Sequence, residues 1–215
     1  MKQGIINFGL WLTRIGEEKG IRPLIYNPIT WGHFFVSARR CGAAFTAVLR
    51  EQYPEVKTAV DVGAGTGGYV MRLKQAGVDA QGIEYSSFGR SLASFQGVDL
   101  KPFDCSTPDG VPDLGRHDLV FTIEVGEHLP ESFSDAFVDS IIRYSNFVIF
   151  SAAQPGQGGH GHINEQTKEF WRAKFAARGY EFQEEATKRF SDRLTAIGYR
   201  GWMPANVQIF RSAAA

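Results

Sequence analysis

Apolar residues fall three to four positions apart from Phe34 through Ala38, Cys41, Phe45, Val48, Leu49 and Tyr53, and Pro54 ends the series. That spacing predicts an amphipathic helix with one buried stripe. The period then changes. Val56 to Val62 is β-branched and apolar, which predicts a strand, and Tyr69 to Ala76 returns to helical spacing before Gly77 closes it. The alternation repeats, with a strand over 79–84, a helix over 86–95, a strand over 98–103 and an apolar run from Leu119 to Ile123 ending at Glu124. Pro130 opens a helix with Phe133, Phe137 and Ile141 on one stripe, and Phe147 to Phe150 is continuously apolar, as a strand buried on both faces must be. Ser151 to Ile163 reads as a glycine-rich loop. Asn164 is placed to cap the helix that carries Phe170, Trp171 and Phe175, and Gly179 lies past its end. Strands over 180–184 and 206–210 flank a weaker helix around Phe190, Leu194 and Ile197. Near the start, Ile5, Phe8, Leu12 and Ile15 share one helical face.

Alternating strands and helices imply an α/β fold, a doubly wound, mostly parallel sheet with helices on both faces and its ligand beyond the carboxyl ends of the central strands. Residues 34–215 are expected to form this domain. Residues 1–33 are expected to add an N-terminal helical extension, a lid that keeps water from the site.

The 215 residues carry 23 basic and 23 acidic side chains, so no overall field draws the chain to nucleic acid or to an anionic membrane. No segment approaches the roughly 20 apolar residues of a membrane span, and no signal-peptide cleavage site follows the first apolar run. The two cysteines, Cys41 and Cys105, make no metal-type pair and no disulfide framework, which fits a reducing, cytoplasmic setting. Aromatic residues make up 13% of the chain, enough for a core and for a dimer face.

The glycine turn carries the strongest chemical signal. Gly63, Gly65 and Gly68 satisfy G-x-G-x-x-G, where glycines let backbone approach a ligand at the start of a helix. An NAD-dependent oxidoreductase could use this turn, with Glu84 holding a ribose. Two acids weigh against it. Asp61 stands two residues before the first glycine, where it can meet a cationic ligand, and Asp104 ends the next strand, where an adenine edge could be read. A dinucleotide needs neither.

At Val60-Asp61-Val62-Gly63-Ala64-Gly65-Thr66-Gly67, Gly82-Ile83-Glu84-Tyr85-Ser86 and Ile123-Glu124-Val125-Gly126-Glu127-His128-Leu129 the chain resembles the class I S-adenosylmethionine-dependent methyltransferases, over roughly residues 35 to 185. The resemblance implies a seven-stranded Rossmann-like sheet with a reversed last strand. It also implies S-adenosylmethionine as cofactor and S-adenosylhomocysteine as product. Carried over by position, Asp61, Gly63, Ala64 and Gly65 surround the methionine portion, and Glu84 binds the ribose hydroxyls. Tyr85 flanks the adenine, and Ser86 is counted among the cofactor-binding residues. Asp104, with the backbone of Cys105, accepts from the adenine amino group, and Glu124 and Val125 line the wall near the sulfonium.

Two segments border the expected acceptor. Glu127-His128-Leu129 follows the fourth strand, and a histidine of near-neutral pKa there could take a proton from a hydroxyl. The stretch Gly158-Gly159-His160-Gly161-His162-Ile163-Asn164, with the aromatic helix after it, is similar to a subset of small methyltransferases, some of them associated with glycan or small-metabolite modification. His162 is the first candidate base because Ile163 and Asn164 anchor it, with His160 and His128 as alternatives. Trp31, His128 and Asn164 are expected at the substrate. His160 and His162 alone make a weak metal signal, and no metal is expected. The expected activity is O-methylation of a small molecule or sugar. The absence of Asn-Pro-Pro-Tyr or Asp-Pro-Pro-Tyr after the fourth strand argues against a nucleic-acid base as acceptor, and the missing acidic cluster argues against catalytic magnesium. A catalytically silent cofactor-binding subunit is the remaining alternative.

Overall fold

The computed structural model describes residues 11–12, 15–16, 19 and 21–212. Seven strands form one sheet in the order β3-β2-β1-β4-β5-β7-β6: β1 Thr58–Val62, β2 Asp79–Glu84, β3 Lys101–Pro102, β4 Leu119–Ile123, β5 Phe147–Ser151, β6 Tyr180–Phe182 and β7 Gln208–Ser212. The first five run parallel, and β7 is antiparallel to both β5 and β6. This is the expected doubly wound sheet with a reversed last strand. A dinucleotide fold orders its strands 3-2-1-4-5-6, without a reversed strand inserted before the edge.

From residue 21 on, the α-helices are α1 Arg22–Ile25, α2 Pro28–Gln52, α3 Gly68–Gln75, α4 Ser87–Ser94, α5 Ser134–Ile142, α6 Lys168–Ala176, α7 Glu184–Ala196 and α8 Met203–Asn206. They divide the core into two layers. Along β4, Leu119 and Phe121 face a cluster containing Phe45, Leu49 and Phe190, while Val120 faces another containing Phe137, Trp171 and Phe175. Alternation along β5 is the same, with Phe147 and Ile149 on one side and Val148 and Phe150 on the other. Burial on both faces explains why these strands read as unbroken apolar runs.

Several boundaries differ from the sequence reading. Helix α2 starts at Pro28, so the division drawn between residues 33 and 34 falls inside a continuous helix. Asn27 caps it by accepting from the N–H groups of Ile29 and Thr30. Strand β3 keeps only Lys101 and Pro102 of the six residues expected. Asn206 belongs to α8 rather than to the last strand, and α7 is a full 13-residue helix rather than a weak one. Of the N-terminal amphipathic stripe, Leu12 and Ile15 are helical, and Ile5 and Phe8 lie outside the described residues. Among the described residues no helix is long and apolar enough to cross a membrane.

Candidate active site

Strand β1 ends in a turn whose glycines Gly63, Gly65 and Gly67 all have positive φ, a conformation costly for any residue with a Cβ. The turn is sewn to β2, with Gly63 and Ala64 both donating to Ile83 O. Across the same gap Glu84, the last residue of β2, accepts from Gly65 N at 2.8 Å through Oε2 and from Ser86 N at 2.7 Å through Oε1. Two strand tips are thus joined by one carboxylate. Burial raises the pKa of Glu84, and the N–H groups of Ser86 and Gly65 and the Arg90 charge act against that rise. Each oxygen has one N–H partner and keeps capacity for a further donor.

Asp61 is the penultimate residue of β1 and is 3% exposed. Burial first, and then the neighbouring charge of Glu84, hold its carboxyl well above the usual carboxylate range. Beside Gly65 a Cβ would meet nothing within 4 Å, so the turn borders open space there.

The expected adenine side lies beyond β2 and β3. A cavity of about 330 Å³ is lined there by Tyr85, Arg90, Phe103, Asp104 and Gly110 among others. Tyr85 leaves 67% of its surface open, and Arg90 holds the β2 tip by donating to the carbonyls of Glu84 and Tyr85. The Asp104 carboxylate accepts from the hydroxyl and N–H of Ser106, which lower its pKa. Cys105 is buried, and burial pushes its thiol up to about 11. Ser86 is committed to local structure, capping α4 through Gly89 N.

Beyond β4, Glu124 has φ 53, the only positive value among described non-glycine residues. Such strain concentrates at functional sites. The conformation sends its carboxylate to Asn206 Nδ2, at 3.2 and 3.1 Å, and to Gln157 Nε2 at 3.3 Å, so it ties the loop after β5 to α8. Val125 packs on Gly63, which brings the β4 loop against the glycine turn.

The next residues meet the histidine loop. Backbone N–H groups of Ile163 and Asn164 donate to Glu127 O, and Asn164 Nδ2 donates to Gly126 O and Ser134 Oγ. Asn164 is therefore a buried knot between two loops. The capping role expected of it falls to Thr167, whose hydroxyl accepts from Phe170 N. His128 and His162 stand with ring centroids 5.0 Å apart. Nδ1 of His128 lies 3.2 Å from Gly161 O and 3.1 Å from Tyr26 Oη, and Nδ1 of His162 lies 2.8 Å from Glu165 Oε1. Burial, then the neighbouring His162, lowers the His128 pKa to about 4, which corrects the near-neutral value expected of it. His128 is a neutral imidazole at neutral pH.

Trp31 is placed by α2 between Tyr26 and Phe88, and its ring would lie 3.0 Å from a Cβ on Gly89 of α4. Tyr26 in turn reaches His128. The segment around α1 and the start of α2 therefore links the β4 loop with the helix beside the glycine turn. Glu165, Asn206 and Gln157 were given no role from the sequence, and neither was Glu127. Asn27-Pro28, a cap followed by a first-turn proline, was the available signal for the true start of α2.

No protein-family model and no curated protein matches the chain. Solved structures do. Streptomyces venezuelae DesVI superposes with a TM-score of 0.62 at 15% identity, covering 85% of this chain and 97% of that one. CalS10, an amino pentose methyltransferase of calicheamicin biosynthesis from Micromonospora echinaspora solved with S-adenosylmethionine bound, gives 0.59 at 16% identity over 80% of this chain and 90% of that one. The magnesium protoporphyrin IX methyltransferase ChlM from Synechocystis with bound S-adenosylhomocysteine gives 0.57 at 16% identity, covering 69% and 75%. The chain has the fold of the class I S-adenosylmethionine-dependent methyltransferases.

Proposed function

We propose that this chain binds S-adenosylmethionine and transfers its methyl group to an oxygen of a small molecule or sugar. One observation carries the reading: Glu84 bridges the glycine turn and the start of α4 at the carboxyl ends of two adjacent strands, with hydrogen-bonding capacity left over. When bound, the cofactor supplies a methyl carbon made electrophilic by a sulfonium. Glu84 would accept from both ribose hydroxyls, and Asp61, with no described donor to its carboxylate, would receive the cationic amino group. Tyr85 would stack on the adenine, with Asp104 and the Cys105 backbone at its edge. The turn from Gly63 to Gly65 would pass under the methionine portion, and Val125 would wall the sulfonium side.

The acceptor would lie over the β4 and β5 loops, with Asn164 holding them together. An attacking hydroxyl must shed its proton, and His162, oriented by Glu165, is the first candidate to take it. His160 is the alternative, while His128 is too weak a base and would position Tyr26 and the loop. Tyr26 and Trp31 would act as the cover that excludes water, which gives residues 1–33 their lid role even though α2 runs through the boundary. Two free, buried cysteines suit a cytoplasmic enzyme.

The small-molecule reading is supported by neighbours such as CalS10 and ChlM, and a sugar acceptor by KedS8, described as a sugar N-methyltransferase. SpnF, a [4+2]-cyclase on the same fold, is a reminder that the site and not the fold decides the reaction. The test is calorimetry with S-adenosylmethionine and S-adenosylhomocysteine, then incubation of methyl-labelled cofactor with hydroxylated sugars and small molecules. Label on an acceptor oxygen is expected. Label on nitrogen would correct the atom, binding without transfer would leave a silent module, and no binding would end the proposal.

A further inference from the structure

Glu127 is wholly buried, and neither of its carboxylate oxygens has a partner in hydrogen-bond geometry. Burial first, then the charges of Glu124 and Glu165, hold its carboxyl well above the usual carboxylate range, with the nearby backbone N–H groups of Glu127 and Ala153 acting against the rise, and no cation among the described residues balances it. A buried carboxylate without a counter-charge is destabilising until a proton or a cation joins it. What lies beside it instead is a pair of imidazoles: one ligand atom each from Glu127, His128 and His162 lie within 4.8 Å of one another.

We propose that Glu127, His128 and His162 bind a divalent transition-metal ion, of the zinc, cobalt or iron(II) type, at the junction of the β4 and β5 loops. The donor set favours such an ion over magnesium or calcium, which prefer all-oxygen shells. Closing three ligand atoms onto an ion at about 2.0–2.2 Å requires side-chain rotation of about 1 Å, with the backbone already clamped by the Ile163 and Asn164 N–H bonds to Glu127 O.

The surroundings of both rings fit a ligand role. A metal-bound imidazole gives its other N–H to a carboxylate or carbonyl, which fixes the tautomer. His162 has Glu165 at Nδ1, and Glu165 is itself held by Gly156 N at 2.8 Å. His128 has Gly161 O and the Tyr26 hydroxyl at Nδ1. With the proton of each ring on Nδ1, the tautomer that donates to Gly161 O and to Glu165, both Nε2 lone pairs are left for a cation. Gly159 packs against the His162 ring so closely that a Cβ there would lie 2.3 Å from Nε2, so a side chain at 159 would push the ring aside.

Two histidines one residue apart give little metal signal, and the two partners of His162 in the group, Glu127 and His128, come from a distant segment. His160, the obvious sequence partner of His162, is not in the cluster. Three protein ligands leave at least one position open for water or an acceptor hydroxyl, whose pKa the ion would lower. Ion binding stands by itself; only its use on an acceptor rests on the methyltransferase reading. There the ion takes the lone pair that the metal-free reading assigns to proton removal by His162.

Chelator-treated full-length protein, without cofactor, is titrated with Co(II) and then Zn(II), followed by visible d–d absorption, calorimetry and metal analysis after gel filtration. One ion per chain is expected, with magnesium failing to compete. Glu127→Gln and His162→Ala should abolish the Co(II) bands, and Glu165→Gln should weaken binding about 10–100-fold. Circular dichroism reports whether each variant folds, and should Glu127→Gln unfold, His162→Ala and Glu165→Gln decide. Absence of Co(II) bands in folded wild-type protein, or bands that survive in folded His162→Ala, overturns the site. Cofactor calorimetry is read separately, so loss of one result does not imply loss of the other. If methyl transfer is found and is unchanged after chelation, the ion has no place in it and His162 returns to the role of base.

Discussion

Gly63 and Val125 are in contact across the two central loops: a Cβ built on Gly63 would lie 2.6 Å from Val125 Cγ2, and Gly63 has φ 79. The first glycine of the turn is thus required twice, once by its own backbone and once by a stiff side chain of the loop after β4. This contact sets the cofactor half of the site against the acceptor half.

Gly63→Ala should therefore lower stability by about 2 kcal/mol or more, combining left-handed strain with overpacking. Urea unfolding would measure this. Gly77→Ala supplies the control, since its φ of 81 carries similar strain while a Cβ there meets nothing. The control should cost only about 1–2 kcal/mol and leave cofactor affinity unchanged.

Glu84→Ala removes a carboxylate that serves the turn before any ligand arrives. Charge-assisted bonds to two hydroxyls are worth enough that affinity for S-adenosylhomocysteine should fall about 100-fold or more, read by calorimetry. Gly65 N and Ser86 N also lose their acceptor, so a small loss of thermal stability should accompany it. An unchanged affinity would place the ribose elsewhere.

The strands and the glycine turn were legible because burial on both faces and backbone geometry leave marks in local sequence: apolar runs at β4 and β5, glycines at 63 and 65, although the third left-handed glycine is Gly67 and not the Gly68 of the G-x-G-x-x-G spacing. Asp61 and Glu84 were legible because each follows directly from its position at a strand tip. The Glu127, His128 and His162 cluster was not, since it forms only when the loops after β4 and β5 meet, and no local period encodes that meeting. Asn164 was misread for a related reason. An asparagine before a helix looks the same whether it caps the first turn or, as here, reaches back to Gly126 O and Ser134 Oγ.

That distinction is measurable. Thr167→Ala removes the true cap of α6 and should cost about 1 kcal/mol. Asn164→Ala takes a donor from the buried Ser134 hydroxyl and leaves the Gly126 carbonyl only the Leu129 N–H, and should cost about 1–3 kcal/mol, read from thermal or urea unfolding. Only the second should loosen the histidine loop, seen as faster amide exchange at Ile163, whose N–H is bound to Glu127 O. Equal costs with no change in exchange would restore the capping role to Asn164.

Asp61 offers a prediction in pH. Its folded pKa lies well above the ordinary value because burial and Glu84 disfavour its charged form. A carboxyl with a raised folded pKa holds its proton more tightly when folded than when unfolded. Stability from this group is therefore full below the unfolded value near 3.8 and is lost as pH rises through the folded pKa. At neutral pH the ligand-free protein carries the cost of ionising or protonating Asp61, and Asp61→Asn removes it. The variant should unfold at a higher temperature than wild type near neutrality, with the gap closing as pH falls toward 4 and both side chains become neutral. It should at the same time bind S-adenosylmethionine at least about tenfold more weakly, because an amide cannot pair with a cationic amino group as a carboxylate does. Unfolding temperatures across pH, with and without cofactor, separate the two effects: cofactor should raise the wild-type value far more than that of the variant. A variant less stable than wild type at neutral pH would mean that the carboxylate is a structural partner of the turn.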